Sequence, residues 1–212
     1  MSYEIKRIVV TDLMTNCYLI HDSSGNAVVI DPGGDANHIL AFLRRQNLKL
    51  CQILNTHGHA DHIMGNAALR EATGAPIAIH PLDAHLLNDP LRNAASLFGW
   101  PFQPHKPDHE LREGEIVGPA PMSFDVVHTP GHTPGSCSFL DREYGVMFTG
   151  DWIFKNGIGR WDIPGGDYDT LMRSVRDKFL PLPGGMKIHP GHGDETTAGA
   201  ERKRNPFIVP LI

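Results

Sequence analysis

Leu50-Cys51-Gln52-Ile53-Leu54-Asn55-Thr56-His57-Gly58-His59-Ala60-Asp61-His62-Ile63 is the stretch on which the fold of this chain turns. Three imidazoles and one carboxylate fall in the six positions from His57 to His62. Nitrogen and carboxylate donors set this densely are metal ligands before they are anything else. The apolar run Leu50 to Leu54 reads as a strand, and Ile63 to Thr73 reads as a helix. The cluster therefore sits at a strand-to-helix junction, with Asp61 where a helix N-cap is expected.

Three later junctions repeat the pattern of an apolar strand opening onto a Gly-flanked polar residue. Phe124 to Val127 leads to His128-Thr129-Pro130-Gly131-His132-Thr133-Pro134-Gly135. Val146 to Phe148 leads to Thr149-Gly150-Asp151, and Met186 to Ile188 leads to Pro190-Gly191-His192-Gly193. Glycine lets the chain turn sharply there, and loops on one sheet edge can converge on one site. The candidate ligands are then His57, His59, Asp61, His62, His132, Asp151 and His192. Five imidazoles and two carboxylates exceed one tetrahedral ion and suit two adjacent ions that share a carboxylate and a water. Imidazole with carboxylate favours zinc, with iron or manganese as alternatives, over calcium or magnesium. No cysteine joins the set, which argues against a closed thiolate site. A water between two such ions loses a proton near pH ~7 and can attack an electrophilic carbon while a metal polarises the carbonyl. No G-x-S-x-G, P-loop or dinucleotide fingerprint is present to suggest other chemistry.

The remaining histidines read more plainly. His21, His38, His80, His85, His105 and His109 are ordinary surface or core residues, and His128 and His189 flank ligand loops in supporting roles. Asp31 ends a strand before Gly33-Gly34, where it either hydrogen-bonds a ligand or only shapes the turn.

The rest of the chain reads as one α/β domain spanning residues 1–212, with mixed or antiparallel sheets and helices on their outer faces. Strands are expected at 5–10, 17–20 and 27–30, the last two as a hairpin, and helices at 36–46, 83–97 (interrupted by Pro90) and 167–179. With 41% hydrophobic and 20% charged residues the composition is globular, and a formal net charge of −5 argues against a nucleic-acid partner. Cys17, Cys51 and Cys137 are too few and too scattered for a disulfide framework and read as buried thiols. No signal peptide or membrane-length apolar run is evident, so a cytoplasmic setting without a membrane partner is expected, as a monomer or small homo-oligomer.

Thr56-His57-x-His59-x-Asp61-His62, Gly131-His132-Thr133-Pro134-Gly135, Thr149-Gly150-Asp151 and Pro190-Gly191-His192-Gly193 together resemble the metallo-β-lactamase superfamily. The likeness runs from Asn16-Cys17-Tyr18 to the end of the chain. It implies a four-layer αββα sandwich with two metals at one edge of the sheets. His57, His59 and His132 would hold the first ion, and Asp61, His62 and His192 the second. Asp151 would bridge them, and Asp61 would orient the bridging hydroxide. Gly150-Asp151-Trp152-Ile153-Phe154, the run Gly159 to Asp167 and the ending Glu201 to Phe207 are similar to the small bacterial glyoxalase II-like hydrolases. That group implies a small-molecule thioester substrate, S-D-lactoylglutathione or a related hydroxyacylglutathione. The longer enzymes of this kind carry a C-terminal helical domain, which the 20 residues after His192 leave out, and their Lys and Tyr in the loop after the bridging Asp are changed, with Arg160 and Asp162 standing nearby. Arg160 is the candidate to clasp a substrate carboxylate, or else pairs with Asp162 or Asp167. A persulfide dioxygenase with one iron, and an ester or lactone hydrolase of the same fold, are the alternatives.

Overall fold

A computed structural model describes residues 2–212. The chain opens with three antiparallel strands, β1 (Tyr3–Val10), β2 (Thr15–Asp22) and β3 (Asn26–Ile30). Helix α1 (Ala36–Arg45) carries the chain back so that β4 (Lys49–Leu54) lies parallel to β3. A short α2 (Ala60–Ile63) and α3 (Asn66–Thr73) lead to β5 (Ile77–Ile79), again parallel, and α4 (Ala95–Phe98) precedes β6 (His109–Glu110). These strands form one sheet in the order β1-β2-β3-β4-β5-β6.

The second sheet is built from β7 (Ile116–Val117), β8 (Phe124–His128), β9 (Cys137–Asp141), β10 (Val146–Gly150), β13 (Lys187–Pro190) and β14 (Thr196–Thr197), in the order β14-β13-β10-β9-β8-β7. The hairpin β11 (Ile153–Phe154) and β12 (Gly157–Ile158) follows β10, and α5 (Tyr168–Ser174) and α6 (Ala198–Arg204) cover the outer face.

The period-2 alternation of the strands decides the layers. Tyr18, Ile20, Val28 and Ile30 face Phe124, Phe139 and Phe148 in a core between the sheets. Their neighbours Cys17, Leu19, Ala27 and Val29 face Ile39, Phe42, Leu43 and Leu69 of α1 and α3. On the other side, Met147 and Ile188 meet Leu171, Val175 and Ala198 under α5 and α6. Helix, sheet, sheet, helix is the αββα order implied by the resemblance. No helix among the described residues is long and apolar enough to cross a membrane.

Several sequence expectations shift. Cys51 is not buried like Cys17 and Cys137 but half-buried. Ala27 pairs with Leu50 and Val28 with Gln52, so Cys51 is the extra residue of a bulge and leaves the alternating face. Asp61 is not a helix cap. It lies inside α2, with His59 in the cap position and no side-chain bond there. The expected helix from Ile63 breaks at Gly65, whose N–H donates to Pro32 O at 2.7 Å instead of continuing α2. The 83–97 helix is a 3-10 turn at Ala84–Asn88 and the single turn of α4, with Pro90 between them. Asp167 does cap α5, accepting from Thr170 N at 2.8 Å, and the following turn Val175–Phe179 widens to a π-helix.

Candidate metal centre

The strands β4, β10 and β13 all end at the same edge of the two sheets. Ile30 pairs with Leu54, and Gly150 pairs with Pro190, so their following loops start side by side. The sheets are tied together there: Cys137 N donates to Thr56 O at 2.8 Å, and Asn16 N donates to Gly191 O at 2.7 Å. Asn16 Nδ2 and Tyr18 Oη both donate to Pro190 O, at 2.9 and 2.8 Å. Gly191 has to be glycine, because a Cβ there would overlap Asp151 Oδ1 and crowd the His62 ring.

This edge gathers all seven candidate ligands. Ligand atoms of His57, His59 and His132 lie within 4.8 Å of one another, as do those of Asp61, His62 and His192. A third group of the same tightness, His57, His62 and Asp151, joins the two trios. His62 Nε2 stands 3.3 Å from Asp61 Oδ2 and 3.4 Å from Asp151 Oδ1. His192 Nε2 stands 3.3 Å from Asp61 Oδ2 and 3.4 Å from Asp151 Oδ2. His59 Nδ1 approaches His132 Nε2 at 2.9 Å, two ring nitrogens aimed at one point.

The far nitrogen of four of these rings is fixed from behind. His62 Nδ1 donates to Asp31 Oδ2 at 3.0 Å, His132 Nδ1 to Arg160 O at 2.8 Å, and His192 Nδ1 to Leu13 O at 3.0 Å. Thr56 Oγ1 gives its proton to Asp31 Oδ2 at 2.6 Å, so it accepts from His57 Nδ1 at 3.1 Å. Each bond keeps a proton on Nδ1 and turns Nε2 into the cluster, where it is a lone-pair donor whenever the ring is neutral. His57 Nε2, His62 Nε2 and Asp151 Oδ1 are buried there with no hydrogen-bond partner. Buried polar atoms are almost always paired, so these orphaned donor atoms fit a cation that would bind them.

The charges fit as well. Burial alone would raise Asp61 and Asp151, but the adjacent His62 and His192 outweigh it and hold both carboxylates well below their ordinary range. Burial works against charge on His62 and His192, yet the carboxylates hold His62 well above its usual value and His192 at about 9. Burial, and then neighbouring imidazoles, push His57 well down and His59 to about 3. Without a metal, a second proton on Nε2 of His62 and His192 balances the two carboxylates, and a divalent cation would displace it.

Two residues outside the predicted ligand set complete the frame. Asp31, at φ 51°, accepts from Thr56 N at 2.7 Å as well as from Thr56 Oγ1 and His62. Its role as an orienting acceptor was one of the two readings its place at a strand end allowed. Asp83, fully buried, was missed, because in sequence it marks only the start of a helical run. Its Oδ2 accepts from Gly58 N at 3.0 Å and Thr133 Oγ1 at 2.7 Å, and its Oδ1 accepts from Gly135 N at 2.8 Å. It therefore joins the His57–His59 loop of one sheet to the His132 loop of the other.

The model of the metallo-beta-lactamase superfamily matches residues 10–192, a span that contains every one of these donors. The chain belongs to the metallo-beta-lactamase superfamily. It is 41% identical over 98% of both chains to hydroxyacylglutathione hydrolase GloC of Haemophilus influenzae. Among solved structures it is similar to BLEG-1 B3 metallo-beta-lactamase, at a TM-score of 0.92 and 40% identity over 97% of this chain and 99% of that one. It is also similar to TTHA1623 in a di-iron-bound form, at a TM-score of 0.87 and 37% identity over 95% and 99%. With these donors and this family, the protein is a metallo-hydrolase of the superfamily.

Around the superfamily centre, two other features are relevant to substrate. Arg160, the candidate substrate ligand, turns outward and makes a two-pronged pair with Asp162, Nε to Oδ1 at 2.9 Å and Nη2 to Oδ2 at 3.1 Å. What it gives the centre is its backbone carbonyl, the acceptor for His132. Beside His59, a cavity of about 250 Å³ opens between His85, Leu86, Arg92, Pro134 and Pro164.

Proposed function

We propose that the protein is a binuclear metallohydrolase that cleaves a thioester, S-D-lactoylglutathione or a closely related hydroxyacylglutathione. The observation that carries the reaction class is the pair of donor trios joined through Asp151, with their buried donor atoms unpaired. The full-length match to a hydroxyacylglutathione hydrolase supports the substrate class. His57, His59 and His132 would hold one ion, Asp61, His62 and His192 the other, with Asp151 between them. Zinc suits this donor set, as do iron and manganese. Bound there, the ions would acidify a water and polarise the scissile carbonyl.

The chain supplies the rest. Asp61 Oδ2 accepts from Thr15 Oγ1 at 2.8 Å, which fixes the carboxylate that faces both His62 and His192. Held in this way, the Asp61 carboxylate would orient the attacking water. Asp31, Arg160 O and Leu13 O hold the imidazoles in one tautomer, so the donor atoms need no rearrangement. The test is a panel of thioesters, esters and lactones on protein whose metals have been counted. Turnover of S-D-lactoylglutathione with two ions per chain is expected, and loss of it in Asp61→Asn. A protein that cleaves no thioester, or that holds one iron and consumes oxygen with a persulfide, contradicts this reading. Similarity to BLEG-1 favours one second reading, hydrolysis of a β-lactam amide, which a chromogenic cephalosporin in the same panel separates.

A further inference from the structure

The cavity beside His59 has one apolar wall, Leu86, Pro134 and Pro164, and one polar rim, His85 and Arg92. Four cationic side chains stand near the donor cluster, and three of them have close partners. Arg7 Nη1 donates to Gly193 O at 3.0 Å, Lys155 Nζ to Asp194 Oδ2 at 2.9 Å, and Arg160 to both oxygens of Asp162. Arg92 differs: its Nε comes only within 3.5 Å of Asp89 Oδ2, and both side chains are open to solvent. The other Asp89 oxygen is taken by Leu91 N and Arg92 N, each at 3.1 Å. A loose, exposed ion pair contributes little and is easily exchanged for another anion. Thr133, on the cavity wall, spends its hydroxyl on Asp83. The cavity thus offers an apolar surface next to His59 and a guanidinium free to take a carboxylate in two prongs.

We propose that Arg92, with His85 beside it, anchors a carboxylate on the thiol half of the substrate, while the apolar wall takes the stem that leads to the sulfur. The proposal rests on the thioester reading. In a hydroxyacyl thioester the acid function of the acyl half is itself the scissile carbonyl. The only carboxylate left to meet Arg92 is therefore on the departing thiol. The substrate class is an acyl thioester of a small anionic thiol, and Arg92, not Arg160, sets the preference for charge.

Two measurements on metal-loaded protein test this. Calorimetry with S-methylglutathione, a thioether that cannot be hydrolysed, is expected to show binding to the wild type that weakens about tenfold in Arg92→Ala. Arg92→Lys, which keeps the charge and loses the fork, should recover part of it. In kinetics, Arg92→Ala should raise KM for S-D-lactoylglutathione about tenfold with kcat unchanged, and leave the neutral N-acetylcysteamine thioester of lactate unaffected. A purely structural loss would change both substrates alike. Equal binding of S-methylglutathione by wild type and Arg92→Ala, or a wild type indifferent to the charge of the thiol, overturns the proposal and leaves thioester hydrolysis standing. A wild type that cleaves neither thioester overturns the underlying reading and the proposal with it.

Discussion

At the scale of single residues, the centre depends on acceptors placed behind the imidazoles. Asp31→Ala would strand three donors, Thr56 N, Thr56 Oγ1 and His62 Nδ1, in a buried site. Breaking such a network costs about 3–5 kcal/mol, and the loss of an orienting partner typically lowers metal affinity about 10–100-fold. Chemical denaturation of the metal-free variant reads the first effect, and competition with a chromophoric chelator reads the second. Away from the ligands, His80 stacks on His128 with ring centroids 4.2 Å apart. Burial, and then His128, hold His80 at about 4. The unfolded chain protonates a histidine near pH ~6.5. The stability contributed by the neutral ring is therefore complete above that pH and is lost as pH falls toward 4. His80→Phe, which can keep the stack, should flatten this part of the acid limb when urea midpoints are followed against pH.

At the scale of elements, the loops behave as a clamped set. Asp83 accepts hydrogen bonds from both the loop after β4 and the loop after β8. Asp83→Ala leaves Gly58 N, Gly135 N and Thr133 Oγ1 without their acceptor, at about 1–3 kcal/mol for each donor that stays dry. Such a variant should keep the fold yet weaken one metal equivalent more than the other, because the trio His57, His59 and His132 spans the two loops it joins. Zinc titration by calorimetry resolves the two equivalents, and a variant that loses both equally would show that the clamp is not local. Gly191 belongs to the same scale: β13 must approach β10 closely enough for His192 to face Asp151. Gly191→Ala is expected to lose the Asp61, His62 and His192 equivalent, since its Cβ would overlap Asp151 Oδ1.

At the scale of the whole molecule, the ligands come from both sheets, so metal and fold stability are linked. Each site filled at 100 times its dissociation constant adds about 2.7 kcal/mol, and a chelator should lower the unfolding midpoint accordingly. The layers and the clustering of the seven candidate ligands were legible in the sequence because both follow local rules. Alternation in β2, β3 and β10 separates inner from outer faces, and each donor follows a strand at a glycine-rich turn. What escaped was set by contacts distant in sequence. Asp61 has the spacing of a cap but is drawn inward by Thr15, 46 positions away. Cys51 has the pattern of a core residue but is displaced by a bulge against β3. Asp83 acts on Gly58 and Gly135, which no periodicity in its own segment announces. In the proposed reading, residues from both sheets build two joined ion sites. Elemental analysis of protein reconstituted with zinc and freed of excess metal tests it most directly: two ions per chain are predicted, and a stable stoichiometry of one would contradict it.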